Sequence, residues 1–183
     1  MKHHKRLIAG SIVTLALAGA IWAMLHQHAQ APTVPPATTT FQPDPRTKSD
    51  HCVINGPYPD HACTPGAIFS DVTKDQVCAP GYSSSVRNVP QSEKNEDFAE
   101  YGITHHATGG YEVDHFISLE LGGSNDIANL FPEAAVPVPG FHEKDKVENY
   151  LHAQVCNGSI TLAEAQREIS GDWVKVYGGM PGR

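Results

Sequence analysis

Four cysteines constrain this chain more than any other feature. Cys52, Cys63, Cys78 and Cys156 all follow an uncharged run of nineteen residues, Leu7 to Leu25, which is itself preceded by a basic head of Lys2, Lys5 and Arg6. Such a head and run mark an export segment, and an exported chain meets an oxidising compartment in which an even cysteine count forms disulfides. A spanning helix needs about 17–25 apolar residues, whereas a cleaved leader has a core of about 7–15. Residues 1–31 are therefore expected to be a signal peptide, with retention as an N-terminal membrane anchor through residues 7–25 as the alternative. The charge bias places the remainder outside the cytoplasm, in the periplasm or beyond. The cysteine spacings of 11, 15 and 78 residues contain no C-x-x-C pair, which argues against a zinc site made of all four.

Residues 32–50 are rich in Pro and Thr and nearly devoid of apolar side chains, which predicts an extended linker. Residues 51–183 suit one domain. The segment after the leader holds all 20 acidic residues and 10 of the 13 Lys and Arg, a formal charge of −10. A surface of that sign opposes tight binding of phosphates, so any contact with nucleic acid needs local positive charge, for instance a bound divalent ion.

Pro65-Gly66 and Pro80-Gly81 mark turns in a segment from Cys63 to Val89. "SEKNEDFAEYGI" predicts a short helix capped by Ser92. In "YEVDHFISLEL", Val113, His115, Ile117 and Leu119 alternate with Glu112, Asp114 and Ser118, which predicts a strand. "GGSND" is a turn, and "IANLFPE" reads as a second strand or a helical turn. A helix is expected from about His142 to Val155, with Val147, Tyr150, Leu151 and Val155 as its apolar stripe. Thr161 to Glu164 is a capping box that opens a last helix ending near Gly171, with Trp173 and Tyr177 packed back on the core.

Asp114, His115, Asn129 and His142 carry the chemistry. A carboxylate and an imidazole suit one divalent ion such as Mg²⁺, Mn²⁺ or Zn²⁺. A second imidazole, free of metal, removes a proton from water, and an Asn holds that imidazole or the strand behind it in orientation. Those parts fit phosphodiester hydrolysis. Adjacent strand residues point apart, so Asp114 and His115 reach one phosphate only at a twisted or bulged strand end.

"YEVDHFISLELGGSNDIANLFPE" followed by "GFHEKDKVENYLHAQVCNGSITLAEAQREISGDW" resembles the HNH nucleases of the ββα-metal (His-Me finger) fold. Exported bacterial members also carry a segment like "VCAPGYSSSVRNVP". The likeness runs from about Cys63 to Tyr177. It implies an α+β fold: a ββα-metal core with flanking helices, a turn-rich N-terminal segment and disulfide bracing. It implies Asp114 and His142 as ligands of one divalent metal, His115 as general base and Asn129 as the central Asn of the motif. The stretch from Asn129 to His142 is longer than in compact members, which makes His152 a rival ligand. The zinc-finger cysteines that often surround the motif are absent. The likeness centres on Cys78 and Cys156 and so implies that pair, leaving Cys52 with Cys63.

Arg87, Lys144 and His106 are candidates for phosphate contact, although a helix lysine is ordinarily solvated. The expectation is a monomeric endonuclease of low sequence specificity, acting on DNA. The alternatives are an envelope protein that keeps the fold without catalysis and a hydrolase of RNA or small diesters. Turnover on DNA, RNA and a small diester separates them.

Overall fold

The structure, a computed structural model, describes residues 40–182. The leader and residues 32–39 of the Pro/Thr-rich stretch lie outside them, as does the run Leu7–Leu25. No helix of the described residues is long and apolar enough to cross a membrane.

The class is α+β. In chain order the elements are α1 (Lys74–Val77), α2 (Tyr82–Val86), α3 (Gln91–Glu100), β1 (Tyr111–His115), two 3-10 turns (Leu119–Leu121 and Ile127–Asn129), β2 (Leu130–Ala134), α4 (Phe141–Asn157) and α5 (Leu162–Gly179). The strands form one antiparallel pair in which Tyr111 faces Ala134 and His115 faces Leu130.

The first strand is shorter than its alternating sequence predicts, and Asn129 is the reason. Phe116 still donates its N–H to the Asn129 carbonyl at 2.7 Å. At Ile117 the Asn129 side chain replaces a strand partner. Its Oδ1 accepts from the Ile117 N–H at 2.9 Å, and its Nδ2 donates to the Ile117 carbonyl at 3.0 Å and to the Ser124 carbonyl at 2.8 Å. The chain then curls into the 3-10 turns instead of extending the ladder. Gly123 is required in that curl, because a Cβ there would lie 1.7 Å from the Ile117 carbonyl oxygen.

"IANLFPE" contains both expected forms in succession, a 3-10 turn and then β2. The helix expected to be capped by Ser92 starts two residues earlier, with Pro90 at the N-cap and Gln91 as its first residue. The Thr161 capping box is present, since the hydroxyl accepts from the Glu164 N–H at 3.1 Å and the Glu164 carboxylate accepts from the Thr161 N–H at 2.7 Å. Past Gly171 the helix does not end for good. Asp172 breaks it at φ −137° and ψ 72°, and its Oδ1 accepts the Lys175 N–H, restarting the helix to Gly179.

Two apolar clusters flank the hairpin. One joins Val147, Leu151 and Val155 of α4 to Ala165, Ile169 and Trp173 of α5, with Ile117, Leu121 and Val77. Tyr177 packs at its edge, as expected. The other joins Phe116 and Phe131 to Tyr101, Cys52 and Cys63. The disulfides are Cys52–Cys63 and Cys78–Cys156, the pairing that the resemblance implies.

The expected linker boundary at residue 50 is corrected for residues 40–50. Arg46 forms an ion pair with Glu100 and donates from Nε to the Cys63 carbonyl at 2.8 Å, and Phe41 packs against the larger cluster. A segment poor in apolar side chains docks here through charge and backbone hydrogen bonds.

Candidate active site

The alternation of β1 sends Asp114 and His115 to different partners. Asp114 turns to α4, where its Oδ2 accepts from Lys144 Nζ at 2.7 Å, while its Oδ1 accepts the His115 N–H at 2.8 Å. Burial alone would raise the Asp114 pKa. The ammonium beside it prevails and holds it below the usual carboxylate range.

Lys144 corrects the expectation of a solvated lysine free to touch a phosphate. Its side chain is 0% exposed. All three ammonium protons are used, on Asp114, on the His115 carbonyl at 2.8 Å and on Glu148 Oε1 at 2.6 Å. Glu133 Oε2 lies 3.8 Å away. Burial disfavours the ammonium, but the Asp114 and Glu148 carboxylates in contact with it outweigh that and raise its pKa well above normal. Glu148 also accepts the Ser118 hydroxyl at 2.9 Å, and burial pushes its pKa up to about 7.

His115 is 3% exposed. Its Nε2 lies 3.2 Å from Asn125 Oδ1. The Asn125 amide is itself oriented, because its Nδ2 donates to the Val86 carbonyl at 2.8 Å and its Oδ1 also accepts the Asn88 N–H at 3.0 Å. An acceptor therefore faces Nε2, which must carry the ring proton and leave the lone pair on Nδ1. Burial lowers the His115 pKa to about 4, against the pull of Asp114, so the ring is neutral at physiological pH.

Next to this pair is a cleft of about 400 Å³ lined by Arg87, Lys94, Phe98, His106, Tyr111 and Glu112 among others. His115 is not on its wall, but the Arg87 charge acts on His115 and on Glu112. His106 stands exposed in the wall, stacked on Phe98 at 4.5 Å. Of the candidate phosphate contacts, Arg87 and His106 line this cleft and Lys144 is buried behind the strand.

Asn129, expected in the catalytic group, spends its carboxamide on four backbone groups, the fourth being the Ala67 N–H at 3.2 Å. It holds the end of the strand behind the imidazole and the following turn, one of the roles expected for it, and has no reach left for the imidazole itself. The side chain that orients His115 is Asn125, which sequence reading passed over, since either Asn of "SNDIAN" satisfies the pattern.

His142 is exposed on the first turn of α4, its ring 4.2 Å from that of Phe141. Among the described residues it makes no hydrogen bond or ion pair with Asp114. Both Asp114 oxygens are engaged, and the cation beside them is an ammonium, so these residues do not fit a metal held between Asp114 and His142. His152, the rival, lies at the far end of α4. Among the described residues, only Cys78, His152 and Cys156 place three potential ligand atoms within 4.8 Å of one another, a group that could hold a metal ion.

No family model, curated protein or solved structure matches this chain.

Proposed function

We propose that this protein is an exported endonuclease of low sequence specificity that hydrolyses phosphodiester bonds, with DNA as its foremost substrate. The observation that carries the reading is His115: a neutral imidazole with its proton fixed on Nε2 by Asn125, buried behind the strand that walls a cleft offering Arg87, Lys94 and His106, and within reach of the Arg87 charge. The order β1, β2, α4, with an acid–imidazole pair at the end of the first strand, accords with the ββα form that the sequence resembles. Two disulfides accord with an oxidising compartment.

In this reading Arg87 holds non-bridging oxygens of the diester. Nδ1 of His115 takes a proton from water as the water oxygen bonds to phosphorus. The bond to the leaving oxygen breaks, and that oxygen takes a proton from solvent. A base of such low pKa is free at neutral pH but weak, so charge stabilisation at the phosphate bears more of the barrier. No step passes through a metal, because Asp114 is already satisfied by Lys144.

The acidic surface and the ammonium on Asp114 favour a second reading, a non-catalytic binding protein of the envelope that keeps the fold. Plasmid nicking by the purified chain at low salt separates the two, run with Mg²⁺, Mn²⁺, Zn²⁺ or chelator and beside His115→Ala. Cleavage lost in a folded His115→Ala protein supports the hydrolase. A folded wild type that cleaves neither DNA, RNA nor a small diester moves the assignment to binding. Cleavage abolished by chelator would show that a metal is required and would refute the metal-free step.

A further inference from the structure

We infer that reduction converts the Cys78–Cys156 disulfide into a zinc site completed by His152 and Glu120. This site is distinct from the hydrolase centre and does not depend on that assignment. Three observations converge. Cys78, at the C-cap of α1, faces His152 and Cys156, which stand one helical turn apart on one side of α4. Their three ligand atoms lie within 4.8 Å of one another, and His152 Nε2 is 3.4 Å from Cys156 Sγ. A cavity of about 150 Å³ opens beside them, with Cys78, His152 and Glu120 in its wall.

Glu120 supplies the independent sign. Its Oε2 is buried and makes no hydrogen bond among the described residues. A buried carboxyl oxygen without a partner is costly and calls for a proton donor or a cation. Two thiolates and an imidazole are three donors of the kind that hold zinc tetrahedrally, and the Glu120 carboxylate, in the same cavity wall but outside the 4.8 Å group, would have to swing in to be the fourth.

As long as the disulfide stands, the sulfurs have no thiolate charge to give, and the group is a covalent brace. A dithiol reductant changes that by exchange. It delivers two electrons and two protons, the S–S bond breaks, two thiols form and the dithiol closes to its own disulfide. Zinc then displaces the two thiol protons into solvent. In the oxidised protein His152 donates its Nε2 proton to the Val77 carbonyl at 2.9 Å. To bind through Nε2 the ring takes the other tautomer, with the proton on Nδ1. The metal then ties α1 to α4 where the disulfide did.

The test uses the full chain, reduced with a phosphine in oxygen-free buffer, loaded with Zn²⁺ and desalted. Bound zinc is measured per chain, and Co²⁺ replaces Zn²⁺ for a spectrum. One ion per reduced chain, a thiolate-to-cobalt charge-transfer band, and no ion on the oxidised chain are expected. Removal of even an outer partner of a zinc ligand costs about 10–100-fold in affinity, so His152→Ala, Cys78→Ser and Glu120→Gln should each weaken binding by at least about tenfold. Cys52→Ser with Cys63→Ser should leave binding intact. Equal metal on oxidised and reduced chains, absence of the thiolate band, or unchanged affinity in His152→Ala would overturn the inference. A reduced chain that zinc fails to refold, followed by circular dichroism, would overturn it as well. Unchanged affinity in Glu120→Gln would overturn the assignment of the fourth donor.

Discussion

Replacing Glu133 by Gln should stabilise the protein at neutral pH. Glu133 is 1% exposed, opposes Glu112 across the hairpin, and faces the Asp114 carboxylate, to which its carboxyl group can hydrogen-bond only by carrying a proton. Burial drives its pKa from 4.5 up to about 10. The Lys144 ammonium opposes that rise, while Asp114 and Glu148 add to it. At pH 7 the native state therefore holds a proton that the unfolded chain releases. Between the unfolded pKa of 4.5 and pH 7 lie about 2.5 units, each worth about 1.4 kcal/mol, so the cost is about 3 kcal/mol. A Gln of the same shape carries no such cost. The melting temperature should rise by roughly 6–12 °C at pH 7, taking about 2–4 °C per kcal/mol. A raised pKa means that wild-type stability grows as pH falls, so the gap between variant and wild type should close by pH 4.5. Thermal melts of both proteins across pH 4.5–7.5 read this directly. A variant that melts lower at pH 7 would refute the reasoning and make Glu133 an ionised partner of Lys144. A gap that stays constant with pH would refute it too.

The remaining predictions concern the imidazole, the two asparagines and the disulfides. The depressed His115 pKa means the unfolded chain takes its proton first. Stability contributed by this residue should fall by about 1.4 kcal/mol per unit as pH drops from 6.5 toward 4, and His115→Ala should flatten that slope in denaturant titrations. On the hydrolase reading, the acid limb of kcat/KM lies near pH 4; a limb at 6.5 would contradict the burial of the base. Asn129→Ala should cost at least about 3 kcal/mol in urea unfolding, because it strands several buried backbone groups. Asn125→Ala should lower the rate of cleavage far more than it lowers the melting temperature. Loss of the 78-residue Cys78–Cys156 link should cost about 4–5 kcal/mol, against about 3 for the 11-residue Cys52–Cys63 link, in melts of the Cys156→Ser and Cys63→Ser variants.

The long helices were legible because their signals are local: the 3.6-residue stripe of Val147, Leu151 and Val155, and the Thr161 capping box. The hairpin and its Gly-Gly turn were legible for the same reason. What escaped was non-local. The length of β1 is set by a carboxamide fourteen residues beyond His115. Lys144 reads as solvated in sequence because its oxygen partners come from β1, β2 and its own helix, and no window contains them all. Arg46 reads as part of a linker because its partner Glu100 is 54 residues away. Within "SNDIAN" the two asparagines are interchangeable on paper, and only the path of the Val86–Asn88 backbone decides that Asn125 meets the imidazole.

The sealed ammonium of Lys144 has a consequence for the response to ionic strength. Mobile ions screen exposed charges over about 10 Å at 0.1 M and about 3 Å at 1 M, but they do not enter a dry interior. Arg87, exposed at the cleft, is open to that screening, whereas the bond from Lys144 to Asp114 is not. Salt therefore works on this protein as a selective solvent variable: it loosens what the cleft holds and leaves untouched the electrostatics that hold β1 against α4.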